Sequence, residues 1–490
     1  MKESKKKILD VIIIGMGFSG VCSAIKLLEN KIDNFEIHEK SKGVGGTWND
    51  NIYPGAACDV PSHLYCFSFE PNPNWSRRYA KQPEIKQYIE HCVEKYDIRK
   101  YANFSSKVIS IQLIEKSSLW LIKFNNGNEV LTKHVIHAAG GIHKPNIPTF
   151  KNLSQYAGTV MHTAQWNNEV VIKDKRIAVI GSAASAIQVI PEIAKIAKKV
   201  NIFQRTPNYI IPRGDRAYTD KEKIRFKRFP WLLNLYRWFF YMRLELSTFP
   251  IIKRNSFIGR KAAKNIIKYM RSKINNRSLH KYFEPKYDLG CKRILLSDDL
   301  FNAINKENVE VIHSNIDHFN TNGLTTADGV DYDFDVVIMA TGFDIRGHMY
   351  SISLTGKNNL TLKEAWSKSE EAYRGCCISD FPNFYMVTGP NTGAGTISLI
   401  HIIEKEVNYI VKLIKIAGKT RTIEVKKESQ RSYNLKIQKK LDNTVWSSGC
   451  DSWYLNDEGK NIALYPEHGR SFKKQLNKVI HDDFIITERA

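Results

Sequence analysis

The chain has 490 residues, of which 42% are hydrophobic and 11% aromatic. That is enough for two or three domains with real cores and excludes a disordered protein. The formal charge of +23 would suit nucleic acid or an anionic membrane. However, the lysines are spread along the whole chain, and no arginine-rich arm or nucleic-acid motif is present. Nucleic acid is therefore not expected as a partner, and part of the charge suits a groove for phosphorylated cofactors.

The start, Met1–Lys7 before an apolar run, imitates a signal peptide. The run itself contains a glycine turn, and cleavage would destroy it, so retention is expected. Val11–Ile14 reads as a buried strand that enters Gly15-Met16-Gly17-Phe18-Ser19-Gly20 and opens a helix over Val21–Leu28. Such a turn aims backbone N–H groups and a positive helix end at a pyrophosphate. A second strand, Phe35–His38, ends at Glu39, 19 positions after Gly20, close to the spacing of a ribose-binding carboxylate.

Residues 43–66 hold Gly45-Gly46-Thr47-Trp48 and Tyr53-Pro54-Gly55-Ala56-Ala57-Cys58-Asp59. So many glycines and prolines predict a loop, and one carrying Trp48, Tyr53 and Tyr65 suits wrapping a ring system. Strands are predicted near 104–148, ending in a glycine turn at Gly140-Gly141, with Pro145 and Pro148 marking a linker.

A second unit begins at about 151. Ile177–Ile180 runs into Gly181-Ser182-Ala183-Ala184-Ser185-Ala186. Its next strand, Val200–Gln204, ends in Arg205-Thr206 where the first unit has Glu39. An acid binds a free ribose hydroxyl and an arginine suits a 2′-phosphate. The swap points to FAD at the first site and NADPH at the second. Residues 215–285 interrupt this unit with basic, helical sequence and the aromatic run 229–242. A core-facing helix is the expectation there; a membrane-surface helix and the wall of an apolar pocket are the alternatives. Val336–Met339 is a last strand, entering Ala340-Thr341-Gly342. The chain then returns through a strand at 384–387, the turn Gly389–Gly393 and a helix over 397–416.

The predicted fold is α/β, with two Rossmann-like dinucleotide-binding domains, one for FAD and one for NADP, and a helical insert in the NADP domain. The FAD domain takes 1–150 and, with the C-terminal region, 346–490; the NADP domain takes 151–214 and 286–345; the insert takes 215–285. None of the eight cysteines falls in a CxxC pair and no His/Cys cluster has metal-ligand spacing, so no metal is expected. The cysteines read as buried thiols of a reducing, cytoplasmic compartment. A flavin disulfide reductase, which shares the double-turn plan, would need a redox cysteine pair. A non-catalytic nucleotide-binding or membrane-associated protein is a further alternative.

These residues resemble a class B flavin monooxygenase of the Baeyer–Villiger type, among the 4-hydroxyacetophenone monooxygenase-like members. The family's fingerprint between the turns, F-x-G-x-x-x-H-x-x-x-W, stands as Tyr156-Ala157-Gly158-Thr159-Val160-Met161-His162-Thr163-Ala164-Gln165-Trp166. The loop from Gly45 to Asp59, Phe203–Pro207, Gly290–Arg293, Ala340–Asp344 and Gly389–Gly393 also match, in order. Tyr156 replaces the fingerprint Phe, Asn167 follows the Trp, and Ala183 replaces the second glycine of the NADP turn.

The resemblance implies that NADPH reduces FAD, that O2 then forms a C4a-peroxyflavin, and that oxygen enters an apolar ketone or, in the alternative, a sulfide or amine. It implies Arg293 as the catalytic cation, held by Asp59. It places Gly15, Gly17, Gly20, Glu39, Gly46, Thr47, Trp48, Asp59 and Tyr65 around FAD. Gly181, Ser182, Ala183, Ala184 and Ser185 face the NADP pyrophosphate, with Arg205, Thr206 and Lys292 on the 2′-phosphate and Ala340, Thr341 and Gly342 in the adjoining turn. Gly158, His162 and Trp166 carry the fingerprint, with His162 linking domains rather than moving protons. Trp453 resembles a mobile-loop tryptophan near NADP, with core packing as its rival. Peripheral membrane contact through 229–242 stays open, as do the natural substrate and the oligomeric state.

Overall fold

The computed structural model describes residues 8–345, 349–393, 395 and 397–489; the lysine-rich start Met1–Lys7 lies outside them. Ile8–Ile14 carries apolar side chains on both faces, and Val11, Ile12 and Ile13 have no exposure. A strand of this kind needs cover on both sides. It sits inside a mixed sheet whose spatial order is Ser353–Thr355, Val108–Ile114, Leu119–Phe124, Glu129–His137, Ile8–Ile14, Phe35–His38 and Ala102–Asn103. Phe384–Met386 also pairs with Glu129–His137, in parallel. Helices Phe18–Glu29 and Leu399–Ala417 share one core beside this sheet, through residues such as Val21, Ile25, Ile403 and Ile410. Trp120, Phe124, Phe381 and Phe384 fill a second core.

The second sheet is wholly parallel, in the order Val309–Ile312, Lys199–Phe203, Arg176–Ile180, Val336–Met339 and Thr159–His162. Its strands end in register: Ile180 pairs with Phe203 and Met339, and Met339 with His162. The carboxyl ends of parallel strands are where such sheets bind ligands. The predicted Gly181 turn, Arg205, His162 and Ala340–Gly342 thus gather at or just beyond one edge.

Three expectations need correction. The 43–66 loop is not wholly irregular, because Thr47–Asp50 forms one helical turn. The insert does form helices, Asp220–Arg228, Pro230–Ile252 and Phe257–Lys273. Its aromatic run, however, is only partly core-facing. Leu233 and Phe240 are buried, while Trp231, Leu235, Trp238 and Phe239 are more than half exposed. Among the described residues no helix is long and apolar enough to cross a membrane.

The cysteines are not all thiols. Cys291 and Cys450, 159 positions apart, form a disulfide with their Cα atoms 6.4 Å apart, inside the range a bridge can span. The fold brings two distant segments together, which spacing along the chain cannot reveal. The other six cysteines are buried and unpaired.

Candidate active site

At the first turn, Gly15 has φ +99° and its N–H donates to His38 O at 2.9 Å. A Cβ on Gly20 would lie 1.9 Å from Gly15 O, so only glycine lets the helix seat against the strand. The rim is closed by Gly46 (φ +53°), where a Cβ would lie 3.1 Å from Gly17 Cα. The helix starting at Phe18 has no side-chain cap, so its first N–H groups suit an anion. Glu39 is buried and accepts from Met16 N at 2.7 Å and Ser41 N at 2.8 Å. A carboxylate has about four acceptor sites, so two backbone bonds leave capacity for a ribose hydroxyl. These residues fit FAD.

The neighbouring loop sets two aromatic side chains side by side. Trp48 Nε1 donates to Tyr65 OH at 3.1 Å, and Gln82 fastens the Trp48 carbonyl at 2.5 Å. Further along, the loop docks on the second unit. Tyr53 OH donates to Gln188 Oε1 at 2.8 Å, and Gln188 Nε2 donates to Ala57 O at 2.9 Å. A Cβ on Gly55 (φ +84°) would meet Gln188 O at 2.3 Å, so this glycine is a close approach between the two units.

That docking brings Asp59 to Arg293. Arg293 Nε and Nη2 both donate to Asp59 Oδ2, at 2.8 and 2.6 Å. The Asp59 charge raises the Arg293 pKa further, against the opposing effect of burial, so the guanidinium is held cationic. Its side chain is nevertheless 45% exposed: it lies deep among protein atoms with one side open to the cleft. Tyr454, itself buried, faces the same pair, and burial raises its pKa.

The second turn repeats the first. Gly181 has φ +113°, its N–H donates to Phe203 O at 3.0 Å, and a Cβ would meet Ala340 O at 2.4 Å. The uncapped helix Ala184–Ile193 begins after Ala183, whose φ of −90° needs no glycine. Its missing glycine therefore costs no backbone strain. Ser182 Oγ donates to Thr206 O at 3.1 Å, fixing the Arg205-Thr206 corner. Arg205 is exposed. Lys292 has its pKa lowered by burial and by the Arg205 charge, with Asp451 opposing. Two cations crowded at a strand end fit a phosphate dianion.

The fingerprint residues do not converge on one point. Gly158 is required by packing, since a Cβ there would lie 2.2 Å from Tyr156 OH, which donates to Phe334 O at 3.1 Å. Trp166 is buried in the cluster that contains Tyr53 and Ala56 of the docked loop. His162 is buried, accepts from Ala164 N at 3.0 Å through Nδ1, and has its pKa lowered by burial. A neutral, walled-in ring suits a structural place. Thr341 Oγ1 donates to Asn146 O at 2.5 Å, and Asn146 N donates to Gly342 O at 2.9 Å. The last turn of the second unit is thereby stitched to the linker. Trp453 is 48% exposed beside Tyr454 and is not core. Sequence reasoning missed Gln188 and Tyr454, because nothing local marks a glutamine or tyrosine that matters only across the interface.

A family model described as flavin-binding monooxygenase-like matches residues 5–355. The chain belongs to that family. It is 38% identical over 93% of its length to a Baeyer–Villiger monooxygenase of Pseudomonas aeruginosa, covering 87% of that protein. It is 34% identical over 98% of its length to a Baeyer–Villiger monooxygenase of Streptomyces coelicolor, covering 93%. Among solved structures, cyclohexanone monooxygenase from Rhodococcus sp. Phi1 bound to NADP+ superposes with a TM-score of 0.90 at 26% identity, over 99% of this chain and 100% of that one. The fold of this family member thus follows that of a solved monooxygenase over nearly its whole length.

Proposed function

We propose that this protein is an FAD-dependent, NADPH-using monooxygenase of the Baeyer–Villiger type. It takes one atom of O2 into an apolar ketone, giving an ester or lactone, and the other atom leaves as water. The single observation that carries the residue assignment is the contact of two Arg293 nitrogens with one Asp59 oxygen at the junction of the two cradles. FAD, when bound, supplies the electron transfer and the oxygen activation.

The protein's part is position and charge. Glycine turns and helix ends hold two pyrophosphates. Arg293 presents a permanent planar cation to a developing oxyanion, and Asp59 fixes its direction. Arg205, Thr206 and Lys292 select the 2′-phosphate. Trp48 and Tyr65 form one wall of the flavin site. We place the domain boundaries at 150, 214, 285 and 345, and keep sulfides and amines as the substrates of the alternative reading. The test is a panel of ketones, sulfides and tertiary amines, read as NADPH-dependent product. Esters or lactones are expected. N- or S-oxides alone would move the protein to heteroatom oxygenation.

A further inference from the structure

The exposed side of helix Pro230–Ile252 takes no part in either cradle. Trp231, Leu235, Trp238, Phe239, Met242 and Leu246 follow one another at spacings of one to four residues. At 3.6 residues per turn they fall within an arc of about 100°. Trp231 is 63%, Trp238 57%, Phe239 53% and Leu246 64% exposed. The opposite side anchors the helix: Leu233 and Phe240 are buried, and Arg237 reaches back to His63 O and Cys66. The stripe is therefore a fixed, outward face. The next helix opens with Phe257 and Ile258, 73% and 56% exposed.

Its surroundings are strongly basic. Residues 220–273 contain 15 lysines and arginines against 3 acids, about half of the chain's net charge. One of the acids, Glu222, pairs with Arg216, and another, Glu245, is buried against Gly469 N and His468. Arg228 lies 5.5 Å from the Phe229 ring, and Arg470 reaches Met242 at the stripe. Arg225, Lys227, Arg243, Arg254, Arg260 and Lys261 are exposed.

An outward tryptophan-phenylalanine-leucine stripe set among cations matches an interfacial helix. A twofold contact between copies would set this basic patch against itself, whereas an anionic bilayer supplies the opposite charge and an apolar layer. We propose that this face docks the enzyme peripherally on the surface of an anionic lipid bilayer, with the stripe in the headgroup boundary. The inference stands apart from the oxygenation reaction, since it uses no residue of the cradles.

The test uses the FAD-loaded enzyme with vesicles of phosphatidylcholine alone or mixed with phosphatidylglycerol. Co-sedimentation is expected only with phosphatidylglycerol present, falling as salt is raised, with a blue shift of tryptophan emission. The triple variant Trp231→Ser/Trp238→Ser/Phe239→Ser should lose binding at least tenfold and lose the shift, while keeping flavin content and turnover. Arg228→Glu with Lys261→Glu should weaken binding and flatten its salt dependence. Three results would overturn the proposal: wild-type enzyme left in the supernatant at low salt, a folded triple variant that binds like wild type, or a wild-type dimer that the triple variant converts to monomer. Should the triple variant fail to fold, the wild-type sedimentation and emission still decide.

Discussion

The first glycine turn is closed and the second is open. Around Gly17 the rim is covered by Gly46, and Phe18, Ser19 and Gly20 are buried at the start of the helix. At the second turn both Ala183 and Ala184 are exposed. The first turn ends in a buried acid tied to backbone N–H groups, the second in an exposed arginine beside a lysine. One plan thus yields a covered turn and an exposed one. The same turn geometry is combined with opposite cover and opposite charge at the strand end, and substitutions in each unit test whether that contrast decides which nucleotide binds.

The comparison breaks most visibly at Gly20. The second unit tolerates alanine at the matching position, Ala186, which is fully buried. In the first unit a Cβ would strike Gly15 O. Gly20→Ala should therefore abolish stoichiometric FAD binding or folding, measured as flavin per protein and as thermal midpoint. Ala186→Gly should cost only about 1 kcal/mol, the helix penalty of glycine. A stable Gly20→Ala enzyme with full FAD would mean that the first turn is not the close cradle described.

Arg293 belongs to the open unit and Asp59 to the closed one, so their pair measures whether the two sites act together. Arg293→Ala should retain FAD and remain reducible by NADPH. Oxygenated product should fall roughly 100- to 1,000-fold, the scale of losing one preorganised charge donor, with hydrogen peroxide appearing instead. Arg293→Lys restores charge without the planar fork and should recover only part. Asp59→Ala should show the same uncoupling at about a tenth of normal coupling, because the cation stays but loses its orientation. A fully coupled Arg293→Ala enzyme would sink the assignment.

What the sequence disclosed follows the range of each signal. Gly15, Gly20 and Gly181 were legible because turn, strand and helix lie within a dozen residues and the steric demand is local. The place of Arg205 at the strand end was legible because the two units can be aligned on themselves. The Cys291–Cys450 bridge and the Gln188 clasp were not, since both join segments more than 100 residues apart and use residue types common anywhere. The stripe on Pro230–Ile252 was misjudged for another reason. Aromatic density predicts burial, but only the packing of Leu233 and Phe240 shows which side faces in.

At the strand ends, Arg205→Ala should leave FAD content untouched and cut the preference for NADPH over NADH about tenfold, since a charge-assisted hydrogen bond is worth about 1.5–3 kcal/mol. The measurement is kcat/KM for both nucleotides. Unchanged selectivity would remove Arg205 from the phosphate site and reduce the contrast with Glu39 to coincidence.

The smallest effect separates the two cations of the open site by pH. Lys292 sits below the ordinary lysine value because of burial and the Arg205 charge. Its protonated form is the one that binds a phosphate dianion, and binding draws its pKa back up. Affinity for NADPH is then full below the depressed Lys292 pKa and declines as pH rises through it, while affinity for NADH, which lacks the 2′-phosphate, does not follow. The NADPH/NADH ratio of kcat/KM should therefore fall a few-fold on the alkaline side, before about pH 10.4 where an ordinary lysine titrates. Lys292→Arg, which cannot lose its charge, should flatten the profile. A ratio constant with pH in the wild type, or an equal decline in Lys292→Arg, would show that Lys292 stands outside the phosphate site and that Arg205 alone distinguishes it from the acid-lined cradle.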